Sequence, residues 1–334
     1  MGLGAHQAGD ADAAPCDGGR GCAMPQDMLR EMWLGLKRFW GLRWLVKGST
    51  LVGAVALVAL AALAIYALQS EGITEAEQHN SRGTSLAGDR RFEEAIAEFD
   101  KAIKLAPDYA GAYSNRSAAY RNLGDLGQAI ADASRAIELD PALVNAYVIR
   151  GNAYSSQSDY VSAIEDYDEA IRLDAEAVEA YYNRGGAYLA LEEYAKALED
   201  LGRAVDLRPD DPDTYNNRGL ARMNLGEYDA AIADFSKAIE LPPTVTPNIH
   251  ALAYKNRGYA YGFLGEYEKA IADFDNGIDL DPADPAGYGL RGLAYSELGD
   301  TEQAIADLEK ALSLYSDPAD KAQIQEVIDE IRGR

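Results

Sequence analysis

The sequence predicts an all-α protein, a linear array of seven helical hairpins closed by a terminal helix and preceded by one transmembrane helix. Three observations carry this prediction. Alanines recur at positions 95, 129, 163, 197, 231, 270 and 304, that is, every 34 residues with a single step of 39. Prolines 107, 141, 209, 243 and 282 follow the same grid twelve residues later. Such a period is the mark of a repeat array rather than of a two-layer enzyme domain. From Gly48 to Leu68, finally, the chain reads GSTLVGAVALVALAALAIYAL without one charge, long enough to span a bilayer.

Residues 1–27 are rich in Gly, Ala and Asp and show neither helical nor strand periodicity, so disorder is expected there. Cys16 and Cys22, separated by five residues, have no second ligand pair and read as reduced thiols rather than a metal site. Segment 28–47 carries Arg30, Lys37, Arg38, Arg43 and Lys47 against one acid, Glu31, and holds all three tryptophans, Trp33, Trp40 and Trp44. Its apolar residues recur at helical steps, as in a basic amphipathic juxtamembrane helix with an aromatic belt. The run 48–68 is the transmembrane candidate. The positive flank before it and Glu71, Glu75 and Glu77 after it place the N-terminus in the cytoplasm and the rest extracytoplasmic, periplasmic in a bacterium. A cleaved leader is the competing reading, disfavoured because the apolar core exceeds the usual length. Residues 69–75 are a linker.

Numbering each repeat 1 to 34 gives units 76–109, 110–143, 144–177, 178–211, 212–245, 251–284 and 285–318, with an insertion at 246–250. Within each unit the signature positions fall at 4, 8 and 11 and again at 20, 24 and 27, helical steps on two successive helices, A and B. In the second unit Tyr113, Ser117 and Tyr120 mark helix A, Gly124-Asp125 the turn, Ala129, Ala133 and Ala136 helix B, and Pro141 its end. Small residues let the helices approach closely, and the tyrosine at position 4 of six units fills the space between units. Helices of this length are marginal alone in water, so their stability must come from stacking. Residues 319–332, with Ile324, Val327, Ile328 and Ile331 at helical spacing, read as the capping helix over the last apolar face.

The stretch AYSNRSAAYRNLGDLGQAIADASRAIELDP resembles a tetratricopeptide repeat, and the other six units are similar to it. The resemblance implies a right-handed superhelix of antiparallel helix pairs whose A helices line a concave groove. Departures are few: His79 at position 4, Arg222 at position 11, and Ala175 and Ser316 at position 32.

Position 7, commonly leucine in that family, is arginine in every unit: Arg82, Arg116, Arg150, Arg184, Arg218, Arg257 and Arg291. Position 23 is always acidic: Glu98, Asp132, Asp166, Asp200, Asp234, Asp273 and Asp307. Charges beside packing positions need partners, so structural pairs are expected, within a unit or across to the next. A ligand-binding arginine ladder is the weaker alternative. The face opposite positions 4, 8 and 11 contains positions 2, 6, 9 and 13, flanked by 5 and 12. There lie Asn145, Ile149, Asn152, Tyr182, Asn183, Asn216, Asn217, Leu220, Met223, Asn224, Lys255, Asn256, Tyr259 and Phe263. Amides pair with peptide backbone through donor and acceptor together, and Met with aromatics gives adaptable apolar contact. The competing reading for any one asparagine is helix capping or solvation. A carboxylate clamp is disfavoured, because the cations such clamps place at positions 2, 5 and 9 are here reduced to Lys255.

With 31 Lys+Arg against 55 Asp+Glu the formal charge is −24, which excludes nucleic acid as a natural partner. No phosphate loop, nucleophile elbow or HExxH appears, and the three histidines are scattered, so neither enzyme activity nor a cofactor or metal is expected. The expected partner is a protein or peptide segment, extended or helical, held by a scaffold in envelope assembly. The alternatives are a cytoplasm-facing adaptor on the same anchor and a self-associating structural protein, a homo-oligomer.

Overall fold

The computed structural model describes residues 50–243 and 248–333. The expected disordered tail at 1–27 and the juxtamembrane segment at 28–47 lie outside the described residues. The chain divides into two units, Met1–Gln69 and Ser70–Arg334. Among the described residues every regular element is a helix: α1 Thr50–Gly88, α2 Phe92–Leu105, α3 Ala110–Leu123, α4 Leu126–Leu139, α5 Val144–Ser156, α6 Tyr160–Leu173, α7 Val178–Ala190, α8 Tyr194–Leu207, α9 Pro212–Asn224, α10 Tyr228–Glu240, α11 Ile249–Phe263, α12 Tyr267–Leu280, α13 Pro285–Glu297, α14 Thr301–Leu314 and α15 Pro318–Gly333.

The expected membrane span is corrected. Among the described residues no helix is long and apolar enough to cross a membrane. From Thr50 on, the apolar run belongs to α1, which does not stop with it but continues through Glu71, Glu75, Glu77, His79 and Arg82 to Gly88 as a 39-residue helix of mixed polarity. The extracytoplasmic placement inferred from that span falls with it.

Each repeat is an A helix (the end of α1, then α3, α5, α7, α9, α11, α13) folded back on a B helix (α2, α4, α6, α8, α10, α12, α14). The fold-back is made at position 15, which takes a left-handed conformation in every unit: Arg90, Gly124, Ser158, Glu192, Gly226, Gly265 and Gly299, at φ 60° to 83°. Where an aspartate follows, it caps the B helix. Asp125, Asp159 and Asp300 accept from the backbone N–H groups of Gln128, Ser162 and Gln303, each at 3.2 Å.

The A–B contact is set by one exchange of volume. Position 24 of helix B is large, Phe99, Tyr167, Leu201, Phe235, Phe274 or Leu308, and the facing position 8 is then glycine. A Cβ on Gly151 or Gly219 would lie 2.6 Å from the ring of Tyr167 or Phe235. The second unit inverts the exchange. Its position 24 is Ala133, and Ser117 takes the vacated space, donating its hydroxyl to the Ala129 carbonyl at 2.6 Å. Alanines at position 20 are fully buried in all seven units.

Successive A helices from α3 to α13 touch one another, and no pair of successive B helices does so to that degree among the described residues. The A helices therefore form the inner, concave side of the array. At the end of the array α15 lays Ile324, Val327, Ile328 and Ile331 on Ala304 and Leu308 of α14, and Arg332 pairs with Glu309 at 2.6 Å. Between the fifth and sixth units α11 begins at Ile249, so the last two residues of the expected loop 246–250 are helical. Ile249 is 2% exposed, and the His250 Nε2–H donates to the Leu241 carbonyl at 2.8 Å. Burial of Ile249 and the hydrogen bond of His250 make that end of the insertion helical.

Candidate functional site

The conserved-looking register of arginine and acid builds a charged spine through the array. In units two to seven the position-7 guanidinium is bidentate to the position-23 aspartate of its own unit: Arg116 with Asp132, Arg150 with Asp166, Arg184 with Asp200, Arg218 with Asp234, Arg257 with Asp273 and Arg291 with Asp307, at 2.6–2.9 Å. The third nitrogen, Nη1, reaches back to position 25 of the preceding unit: Asp100, Ser134, Asp168, Ser236 and Asp275 accept from Arg116, Arg150, Arg184, Arg257 and Arg291. Both of the geometries left open by the sequence thus occur in one side chain. Position 25 ahead of Arg218 is Gly202 and offers no acceptor. There Arg222, the departure at position 11, donates to Asp234 at 2.7 Å.

Each spine guanidinium also lies over the position-4 tyrosine of its unit, Tyr113, Tyr147, Tyr181, Tyr215, Tyr254 or Tyr288, at 5.2–5.8 Å. The aspartates are buried, and their hydrogen bonds raise the pKa of Arg116, Arg150, Arg184, Arg257 and Arg291 above the ordinary arginine value. Planar, bidentate and always charged, arginine is the side chain that fits this place; lysine would not. The first unit departs from the pattern. With His79 in place of tyrosine and Glu98 in place of aspartate, Glu98 binds His79 and Lys101 at 2.6 Å, and Arg82, 66% exposed, stands 3.6 Å away. These pairs match the charge of the spine within the array, and among its donors the buried Nε of Arg222 has no partner among the described residues.

The groove lining falls into two kinds of side chain. One kind is spent on joining the A helices. The position-6 amides of Asn115, Asn217 and Asn256 donate to position 5 of the preceding unit, Asn80, Tyr182 and Asn216, at 2.9–3.2 Å. Asn216 is 1% exposed and Ile149 7% exposed, so both belong to the wall rather than its surface. Asn152 accepts the Tyr167 hydroxyl at 2.7 Å, and Lys255 pairs with Asp284 at 2.7 Å. Burial, followed by the charges of Asp213 and Asp211, pushes the Tyr182 phenol up to about 12.

The other kind stands free of such bonds or faces outward. Asn145 and Asn224 are exposed, the latter donating only to Leu220 of its own helix. Asn183, Leu220 and Met223 are partly exposed, and Gly186 leaves open space where a Cβ would stand. Tyr259 and Phe263 are 42% and 52% exposed. Phe263 stacks on Tyr228 of α10 with centroids 5.0 Å apart and meets Tyr259 edge-on at 4.9 Å. Beside them Leu290 and Leu293 of α13 help to enclose a cavity of about 230 Å³. Sequence reasoning missed Tyr228 and both leucines, although Leu290 and Leu293 stand at positions 6 and 9. It also missed the acceptors at position 25, where an Asp, Ser or Glu in six of seven units, Gly202 being the exception, was the available signal.

Models of the TPR repeat and tetratricopeptide repeat match residues 91–124, 110–143, 151–192, 185–226, 212–244 and 266–329, covering most of the helical array, with 110–143 and 212–244 starting on the same boundaries as the hairpin units. The chain belongs to the tetratricopeptide repeat family. A comparison with curated proteins finds no match. Among solved structures, the APC/C hetero-tetramer Cut9-Hcn1 is similar at 21% identity and a TM-score of 0.63 over 75% of this chain. The tetratricopeptide repeat protein of Parabacteroides merdae is similar at 20% identity and 0.55 over 78%, and Pseudomonas aeruginosa pilF at 16% and 0.57 over 70%. This chain spans 48% of the matched Cut9-Hcn1 chain, 99% of the Parabacteroides protein and 98% of pilF. At these identities the likeness is one of fold: a tetratricopeptide solenoid.

Proposed function

We propose that this tetratricopeptide protein is a non-enzymatic interaction scaffold that holds an extended or helical segment of a partner protein along its A helices. The observation that carries the reading is the division of labour in the lining. Leu220 and Met223 lay part of their surface on the buried cluster of Ala231, Phe235 and Ala260, whereas the inter-helix hydrogen bonds and the charged spine hold the wall without help from Asn145, Asn183, Asn224, Tyr259 or Phe263. These side chains are left to the groove, where amides can pair with a backbone and apolar groups can receive side chains. Solenoids present extended concave surfaces of this kind.

The test is to fill the groove without touching its wall. In Gly186→Arg the new side chain enters open space, so melting is expected to stay as in the wild type while binding of partner segments falls at least about tenfold, the loss of one well-placed contact. Val161→Arg, on the outer helix α6 where Val161 is 63% exposed, is the control and is expected to bind normally. Equal binding by Gly186→Arg and the wild type would remove the groove from the account.

A further inference from the structure

One place on the concave side departs from everything the fold requires. Position 13, at the C-terminal end of the A helix, is Gly88, Asn122, Ser156, Ala190, Asn224 and Glu297 in six units, and Phe263 in the remaining one. Position 9 is Thr84, Ala118, Asn152 and Gly186 in the first four units, then Leu220, Tyr259 and Leu293. A phenylalanine is therefore not a structural requirement at position 13, and an aromatic ring 52% exposed contributes little to the core it borders. Yet its ring is not loose. Stacked on Tyr228 at 5.0 Å with 11° between planes, and edge-on to Tyr259, it is held from two sides in favoured aromatic geometry.

The held ring forms one side of the cavity between the sixth and seventh units. Its lining is Tyr259, Phe263, Tyr267, Phe274, Leu290 and Leu293, with three small residues and one carboxylate, Glu297. At about 230 Å³ it lies below the range of drug-sized ligand sites, which begins near ~300 Å³, and has room for one large side chain. Glu297 is exposed at the rim and has no hydrogen-bond or ion-pair partner among the described residues. It belongs to a chain of charge −24, whose field favours cationic segments at the encounter.

We propose that this cavity is an anchor socket that receives one bulky apolar side chain, aromatic or long aliphatic, of a partner peptide, with Glu297 pairing a lysine or arginine close to that anchor in the peptide. The proposal rests on the groove reading and deepens it by naming the partner's chemistry. Preorganised aromatics at a rim that excludes water are where binding energy concentrates in interfaces, and a ring already fixed in place loses little entropy on binding.

The probe is a random twelve-residue peptide library displayed on phage and selected against the full chain, followed by synthesis of the selected peptides. The expected result is a consensus with one Trp, Phe, Leu or Met and a Lys or Arg within two residues of it. Phe263→Ser should weaken these peptides about thirtyfold, with a small drop in melting temperature from the lost stacking on Tyr228, and Glu297→Gln about threefold with unchanged melting. Peptides lost on Gly186→Arg but indifferent to Phe263→Ser would overturn the socket and leave the groove standing. Peptides sensitive to Phe263→Ser but lacking any basic residue would overturn the pairing with Glu297. Peptides indifferent to both Gly186→Arg and Phe263→Ser would overturn socket and groove together.

Discussion

The second and third units and the fifth to seventh share one spine and differ in what they show to the groove. In both regions an arginine at position 7 is bidentate to a buried aspartate and lies over a tyrosine. The earlier units face the groove with Asn115, Asn122, Asn145, Asn152, Ser155 and Ser156 beside a buried Ile149; the later ones keep amides at Asn217, Asn224 and Asn256 and add the large apolar side chains Leu220, Met223, Tyr259, Phe263, Leu290 and Leu293. On the proposed reading, fold and recognition are written at different positions of the same 34-residue period. A change on the spine should cost stability in either region, and a change in the lining should cost binding in one.

Breaking the spine should have the largest effect. Arg184→Leu strands Asp200, whose side chain is 5% exposed, and removes the link to Asp168; a loss of about 3 kcal/mol is expected in chemical denaturation. Arg291→Leu should cost a similar amount at the other end, and an unchanged midpoint in either would show that the pairs do not bear on folding. Next comes the exchange of volume between A and B helices. Gly219→Ala places a Cβ 2.6 Å from the Phe235 ring, and overpacking of this kind costs about 2 kcal/mol; Gly219→Ala with Phe235→Leu should recover part of the loss.

A third expectation concerns the groove wall. Burial pushes the Tyr182 phenol up to about 12, against about 10 when unfolded. The folded chain then holds this proton more tightly than the unfolded one. The stability it represents is complete below about pH 10 and is lost as the pH rises towards 12. Tyr182→Phe should flatten that alkaline decline, read as the unfolding midpoint against pH. The smallest effect concerns the fold-back. Ser158 and Glu192 hold the left-handed conformation that Gly124 and Gly226 hold without a Cβ, so Ser158→Gly and Glu192→Gly should each raise stability by about 1 kcal/mol. No gain would mean that neighbouring contacts already offset the strain.

The array was legible in the sequence because its signal is repeated seven times. Period, hairpins and the capping helix follow from Ala95 and its six equivalents, from the prolines, and from Ile328 and Ile331. The groove was less legible, because helical phase places a residue on a face without saying whether its polar atoms are already engaged. Asn216 and Asn256 sit at neighbouring phases on the concave side and spend themselves on each other, while Asn224 is exposed. Only the approach of successive A helices decides between them. Tyr228 was invisible for a related reason: it lies on a B helix, and reaches the groove by stacking on Phe263 across a unit boundary. The apolar run at 48–68 misled, since an uncharged window was read without the polar continuation of the helix that contains it.

The central claim is that partners lie along the A helices, and photo-crosslinking from single positions of the full chain tests it most directly. A benzophenone amino acid placed at Asn145, Met223 or Tyr259 should form adducts with one bound partner, strongest from Tyr259, and Gly186→Arg should abolish them. The same reagent at Val161 on α6 should form none. Adducts of equal yield from Val161, persisting in Gly186→Arg, would contradict the account and move recognition to the outer helices.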